Sequence, residues 1–306
     1  MSGTEISAPG SPGVHGAPRL PGLYGKLPAR GDFLSRRLDA DFVAAWDEWL
    51  QRVMRESREA LGERWLECFL SAPVWRFAVP AGMVSGAGWV GLIVPSVDRV
   101  GRYFPLTLAA PIPEDGIDVP STLAKAMPWL DSIEVLALDA LRPELDFDAF
   151  DQRLAQLPLS VDVAALEASS DDTVPLGTPQ ASFQVWQFAP EASAADLQQT
   201  LQAGLSGRRA SSAVWLTKGG EAHPPSLAVC GGPIPGDRFC AMLDGCWQDH
   251  SWTLAAPTNV HYCAPQNPRG RLDSRSGQGA GDGDARPLIA PPSSADGADM
   301  NTGLEK

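Results

Sequence analysis

The chain has 306 residues, 44% of them apolar and ten of them tryptophan, enough for one large domain or two ordinary ones with a substantial core. Its formal net charge of −13 argues against nucleic acid or anionic membrane as a general partner. Five widely spread cysteines are not the disulfide framework of a small secreted domain, and no apolar run reaches the roughly 18 residues a membrane span needs.

In chain order, residues 1–21 are rich in Gly, Pro and Ser and are expected to form a disordered arm. They carry neither the basic nor the apolar region of a signal peptide, so the expected location is the cytoplasm. Residues 22–34 read as a short strand, a Pro/Gly turn and a second extended piece. A helix follows over 41–60, with Asp39 as N-cap and Phe42, Trp46, Trp49, Leu50, Val53 and Met54 as one apolar stripe. Its other face carries the i,i+4 pairs Glu48–Arg52, Arg52–Glu56 and Arg55–Glu59. Gly62 ends it, and a shorter helix over 63–70 stops before Pro73.

The period then changes. Short apolar runs over 74–79, 89–94 and 106–110, bounded by Pro and Gly, read as strands. Gly82 to Gly88 is a wide hairpin turn, and Trp75 and Trp89 on the neighbouring strands are candidates for a cross-strand pair. Helices are expected over 128–141, with Pro128 at the first position, and over 146–157. Residues 158–180 read as an exposed connection and a candidate subdomain boundary. Beyond it come a strand over 183–188, a helix capped by Ser193, strands over 212–217 and 226–230, and a helix over 237–247. Residues 264–306 read as a disordered tail. Helices and strands come in blocks of two or three, which predicts an α/β sandwich of α+β type. Its sheet should be mixed, largely antiparallel and flanked by helices, within a domain over 22–250.

Charge is unevenly placed. Residues 111–200 hold 16 acidic residues against Lys125, Arg142 and Arg153, so this segment supplies the whole excess. Residues 22–110 hold 11 basic and 10 acidic residues.

Catalytic signatures are missing. The histidines, His15, His223, His250 and His261, form no H-x-x-x-H or H-E-x-x-H pairing, and there is no G-x-S-x-G elbow or Gly-Lys-Ser/Thr phosphate loop. The late cluster of Cys230, Cys240, Cys246, His250, His261 and Cys263 lacks the spacing of a zinc site. No cofactor and no metal are expected. Two stretches remain as candidates for recognition. One is K-L-P-A-R-G-D-F, with Lys26, Arg30, Asp32 and Phe33. The other is S-V-D-R-V-G-R-Y, with Ser96, Asp98, Arg99, Arg102 and Tyr103. Arginine suits recognition because its planar fork matches carboxylates and resists chemistry. Asp98 beside Arg99 reads either as a hydrolytic acid next to a cation or as a structural ion pair or Asx turn that pins the loop. In Arg30-Gly31-Asp32, the aspartate is expected to bond the backbone two residues on.

Y-G-K-L-P-A-R-G-D-F (24–33), W-D-x-W-L (46–50), W-L-x-x-F-L-x-A-P-V-W-R-F (65–77) and P-S-V-D-R-V-G-R-Y-F-P-L (95–106) resemble the TagF family, an accessory family of bacterial type VI secretion. Weaker likeness continues through S-S-A-V-W-L-T and P-P-S-L-A-V-C-G-G, so that it covers roughly 22–250. The resemblance implies a non-enzymatic repressor that acts after translation, binding the forkhead-associated scaffold protein of the secretion system and keeping it from promoting assembly. It gives no residue-level contact face. The alternatives are a structural subunit of the apparatus or a hydrolase using Asp98.

Overall fold

A computed structural model describes residues 19–112, 119–160, 183–189, 212–221 and 223–255, all within one unit, Met1–Cys263. Residues 1–18 of the arm expected over 1–21, the helix capped by Ser193, most of the 158–180 connection and the 264–306 tail lie outside the described residues, while Arg19, at the arm's end, forms an antiparallel bridge with Leu159.

Among the described residues, nine strands form a single sheet. They are β1 (Gly22–Gly25), β2 (Leu34–Arg36), β3 (Trp75–Val79), β4 (Trp89–Val94), β5 (Leu106–Pro111), β6 (Gln184–Gln187), β7 (Ala213–Thr217), β8 (Ser226–Cys230) and β9 (Thr253–Leu254). Their order is β2-β1-β5-β4-β3-β7-β8-β6-β9, antiparallel throughout except for the parallel β6–β9 pair. The fold is α+β with a mixed, largely antiparallel sheet, as the block pattern predicts. β9 has no counterpart in the sequence reading, because two residues are too few to show a period.

The central strands β3, β4, β7 and β8 are buried at every residue. Strand side chains alternate between faces, and two apolar clusters result. Val90, Leu92, Leu108, Val214 and Leu227 lie with Leu130 and Ile133 of α3 (Val119–Asp139) and Phe150 of α4 (Phe147–Ala155). Trp75, Phe77, Ile93 and Trp215 lie with α1 (Ala40–Leu61), α2 (Trp65–Ser71) and α5 (Gly236–Asp244). The sheet is therefore the middle layer of three.

The stripe predicted on α1 is the buried one, and its six apolar side chains contribute about 1.5–3 kcal/mol each as an upper bound. Asp39 holds the N-cap position, but its side chain caps nothing; Gly62, at φ 55°, ends the helix. None of the three expected i,i+4 ion pairs closes. Arg55 lies 3.7 Å from Glu56 instead, and the Glu56 carboxylate accepts from the Gly236 N–H at 3.0 Å, where the N-terminal end of α5 favours an anion. Asp146 does cap α4, accepting from the Asp148 and Ala149 N–H groups. Two further expectations are corrected. Pro128 lies inside α3 rather than at its start: Leu123, Ala126, Leu130 and Ile133 carry one buried face across the proline, so packing outweighs the lost ladder bond. Trp75 and Trp89 sit on adjacent strands but pair with Ile93 and Val79, because antiparallel register places them at opposite ends.

One charge sits inside these layers. Arg76 of β3 is 1% exposed, and its guanidinium donates to Glu134 (Nε, 2.8 Å) and Asp131 (Nη2, 2.6 Å) of α3. Lys218 approaches Asp131 at 2.8 Å. Burial raises the Asp131 carboxyl, but Lys218 and Arg76 outweigh it and hold it below the usual range. The cation is the buried partner, so removing its counterions matters more than removing the cation. Asp131→Asn with Glu134→Gln is expected to cost about 3–5 kcal/mol in urea unfolding, and Arg76→Met about 1 kcal/mol or less; equal losses would contradict this assignment.

Candidate functional site

Two loops leave the same end of the sheet because β1 pairs with β5 and β5 with β4. The first runs from β1 to β2 over residues 26–33, the second from β4 to β5 over residues 95–105. Asp98, its side chain fully buried, is what organises both. Oδ1 accepts from the Val100 N–H (3.0 Å) and the Arg102 N–H (2.9 Å); Oδ2 accepts from Lys26 Nζ (2.8 Å) and Arg102 Nε (2.6 Å). The Asp98 N–H donates to the Arg102 carbonyl and the Gly101 N–H to the Asp98 carbonyl, both at 3.0 Å. Gly101 turns this corner at φ +86°, a conformation that side chains resist.

The loops are also stitched to each other. Ser96 Oγ donates to the Lys26 carbonyl at 2.7 Å, the Arg99 N–H donates to the Arg30 carbonyl at 3.0 Å, and the Arg102 guanidinium donates to the Gly31 carbonyl. Lys26 and Ser96 are each 4% exposed. The nine residues singled out in the sequence therefore converge on one place but divide by role. Lys26, Ser96 and Asp98 are a buried clasp. Arg30, Asp32, Phe33, Arg99 and Arg102 form an exposed rim around it. Tyr103 is half-buried, with its ring 6.1 Å from Trp65 and 6.0 Å from Phe69, and so links the loop to α2.

Burial would raise the Asp98 carboxyl, but the Lys26 ammonium, the Arg102 amide and guanidinium and the Val100 amide outweigh it and hold it far below the usual carboxylate range. Asp98 is a permanent anion with both oxygens occupied. It has neither the proton affinity nor the access that general acid–base work requires. The expected Asx turn forms at Asp98. It does not form at Asp32, whose carboxylate is fully exposed and lies 4.0 Å from Arg102 Nη2.

On the rim, Phe33 is 46% exposed yet held edge-on to Phe104 at 4.8 Å, and Lys26 Nζ lies 4.7 Å from its ring centroid. Arg30 stands 5.4 Å from the Phe147 ring of α4. Val100, 65% exposed at the loop tip, was missed in the sequence reading. The available signal was an apolar residue between Arg99 and Gly101, where a solvated turn would carry a polar one. The rim thus combines three arginines and one carboxylate with two apolar side chains.

The family model for the TagF N-terminal domain, type VI secretion system-associated, matches residues 22–157. That span opens at β1, closes after α4 and contains both loops of the clasp. The crystal structure of PA0076 from Pseudomonas aeruginosa PAO1 is 33% identical; the match covers 74% of this chain and 94% of that one, with a TM-score of 0.57. The chain belongs to the TagF family. No curated protein matches it. The TagF domain ends before the sheet does, since β7, from beyond residue 157, pairs with β3 through Phe77 and Trp215. Among the described residues, no group of three His, Cys, Asp or Glu side chains is arranged to hold a metal, and no helix is long and apolar enough to cross a membrane.

Asp98→Ala strands the buried Lys26 and is expected to cost on the order of 3 kcal/mol in chemical denaturation. The pH dependence has a definite sign. A carboxylate whose folded pKa is depressed stabilises fully above its unfolded pKa, about 4, and the contribution disappears as pH falls toward the folded value. Asp98→Asn should therefore lower stability at pH 7 and flatten the loss of stability below about pH 4; an acid limb as steep as that of the wild type would refute the clasp.

Proposed function

We propose that the chain is a non-enzymatic, post-translational repressor of type VI secretion system assembly. It acts in the cytoplasm by binding and sequestering a forkhead-associated scaffold protein through the rim of the paired loops. One observation carries the reading: the recognition chemistry is exposed while the residues that hold it are buried. Arg30, Arg99 and Arg102 offer planar forks for carboxylate or phosphate oxygens. Phe33 and Val100 offer exposed apolar contacts beside these arginines, a residue type enriched at interface hot spots. The clasp lowers the cost of association by fixing both loops in advance. Asp98, the residue best placed by sequence for hydrolysis, is occupied in this clasp.

The reading is tested by pull-down of the cognate scaffold with purified protein, alongside secretion assays. Arg30→Glu with Arg99→Glu changes two exposed side chains and should leave the melting temperature unchanged, weaken scaffold binding by at least tenfold and raise secretion to the level of a deletion. Arg102→Glu is unsuitable because it sets a second carboxylate against Asp98. A wild-type protein that fails to bind the scaffold, or that co-purifies in stoichiometric amount with the assembled apparatus, would overturn the proposal.

A further inference from the structure

The exposed positive charge of the rim does not stop at the two loops. Arg36 of β2 stands 5.4 Å from the centre of the Phe147 ring, as Arg30 does. One ring of α4 thus gathers a guanidinium from the β1–β2 loop and another from the strand that follows, no farther apart than twice that distance. Both arginines are exposed, whereas Phe147 is buried and packed in the core on the α3 side. A guanidinium is drawn to the negative face of an aromatic ring, which holds the side chain in place without neutralising its charge.

The next residue shows what these two arginines lack. Arg37 meets Asp151 of α4 with both ends of its fork, Nη1 at 3.0 Å from Oδ2 and Nη2 at 2.7 Å from Oδ1. Among the described residues, neither Arg30, Arg36 nor Arg99 has an ion-pair partner. Arg36 Nη1 donates to the Ser35 carbonyl at 2.9 Å, a neutral acceptor, and Asp146 beside Phe147 spends Oδ1 on the cap of α4. Arg99 continues the patch: its N–H donates to the Arg30 carbonyl, and its Nη2 lies 3.8 Å from where a side chain at Gly31 would begin. Three guanidiniums without a counterion therefore lie along one stretch of surface.

We infer that Arg36 and Arg30, held on Phe147, extend the rim into a docking surface for a segment of the protein partner that carries clustered carboxylates. The inference rests on the rim being the binding face; it adds Arg36 to that face and names the chemistry of what meets it. Each fork matches one carboxylate, so two cations gathered on one ring suit two carboxylates spaced along one segment. Exposed charges of this kind act mainly through the rate of association and are screened by salt.

Hexaglutamate capped at both ends is the probe and hexalysine its control, each titrated into the full chain labelled with nitrogen-15 at about pH 6, where the glutamates are ionised. Hexaglutamate should shift the Arg30 and Arg36 Nε–H resonances with a Kd on the order of 1 mM at about 50 mM NaCl, and bind roughly tenfold more weakly at about 500 mM. Arg36→Gln should weaken it about three- to tenfold, and Arg36→Lys, which keeps the charge, by less. With the cognate scaffold, Arg36→Glu should slow association about three- to tenfold at low salt and leave dissociation within about twofold. No hexaglutamate shift at tens of millimolar, equal shifts with hexalysine, or an Arg36→Gln chain that binds as the wild type does would each overturn the inference. So would tighter binding of a phosphothreonine peptide, or an unchanged association rate in Arg36→Glu. A scaffold that fails to bind the wild type would overturn the underlying reading, while the hexaglutamate titration still decides this one.

Discussion

The constraint that governs this molecule is a sheet whose central strands are buried on both faces. A strand exposed on one side can stand with a single covering layer; β3, β4, β7 and β8 cannot. Phe77 and Trp215 demand α1, while Ala78 and Val214 demand α3, so helices must close over the sheet from both sides. The same demand extends the sheet beyond the family domain, because β3 has an edge that only β7 fills. Arg76 is the exception that defines the rule. A cation placed on the middle strand is tolerated because α3 brings two carboxylates to it.

This rigid body explains how two loops of ordinary composition come to present an exposed rim on a buried clasp. β1, β5 and β4 hold the loop ends, and a fully desolvated aspartate does the rest. Asp98 converts four donors from two loops into one rigid corner, and each of those donors would otherwise be left to compete with water. Its strength as an anion follows from the number of donors it satisfies, and that same occupancy removes it from chemistry. Residues adjacent in sequence thereby acquire opposite roles: Asp98 points in and Arg99 points out.

Much of the fold is legible from periodicity. The α1 stripe, the strands at β4 and β8, the antiparallel block pattern and the Gly82–Gly88 hairpin all follow from local spacing, because local spacing is what decides amphipathic faces. The failures are long-range. Pro128 reads as a helix start, since propensity cannot register the sheet against which α3 packs on both sides of it. The Trp75–Trp89 pair fails on register, which sequence proximity does not encode. β9 is a strand only because β6 lies beside it.

The site divides the same way. Sequence alone determined the family, the clustering of candidate residues in two loops and the identity of the side chains able to recognise an acidic or apolar surface. It determined these because motifs are local and chemistry belongs to the residue type. Only the tertiary structure decided which of those side chains are available. Lys26 and Arg30 lie four positions apart in one loop, yet one is sealed against Asp98 and the other is open to solvent. Burial and partnership depend on what the distant loop brings, and they vary from residue to residue under one local pattern.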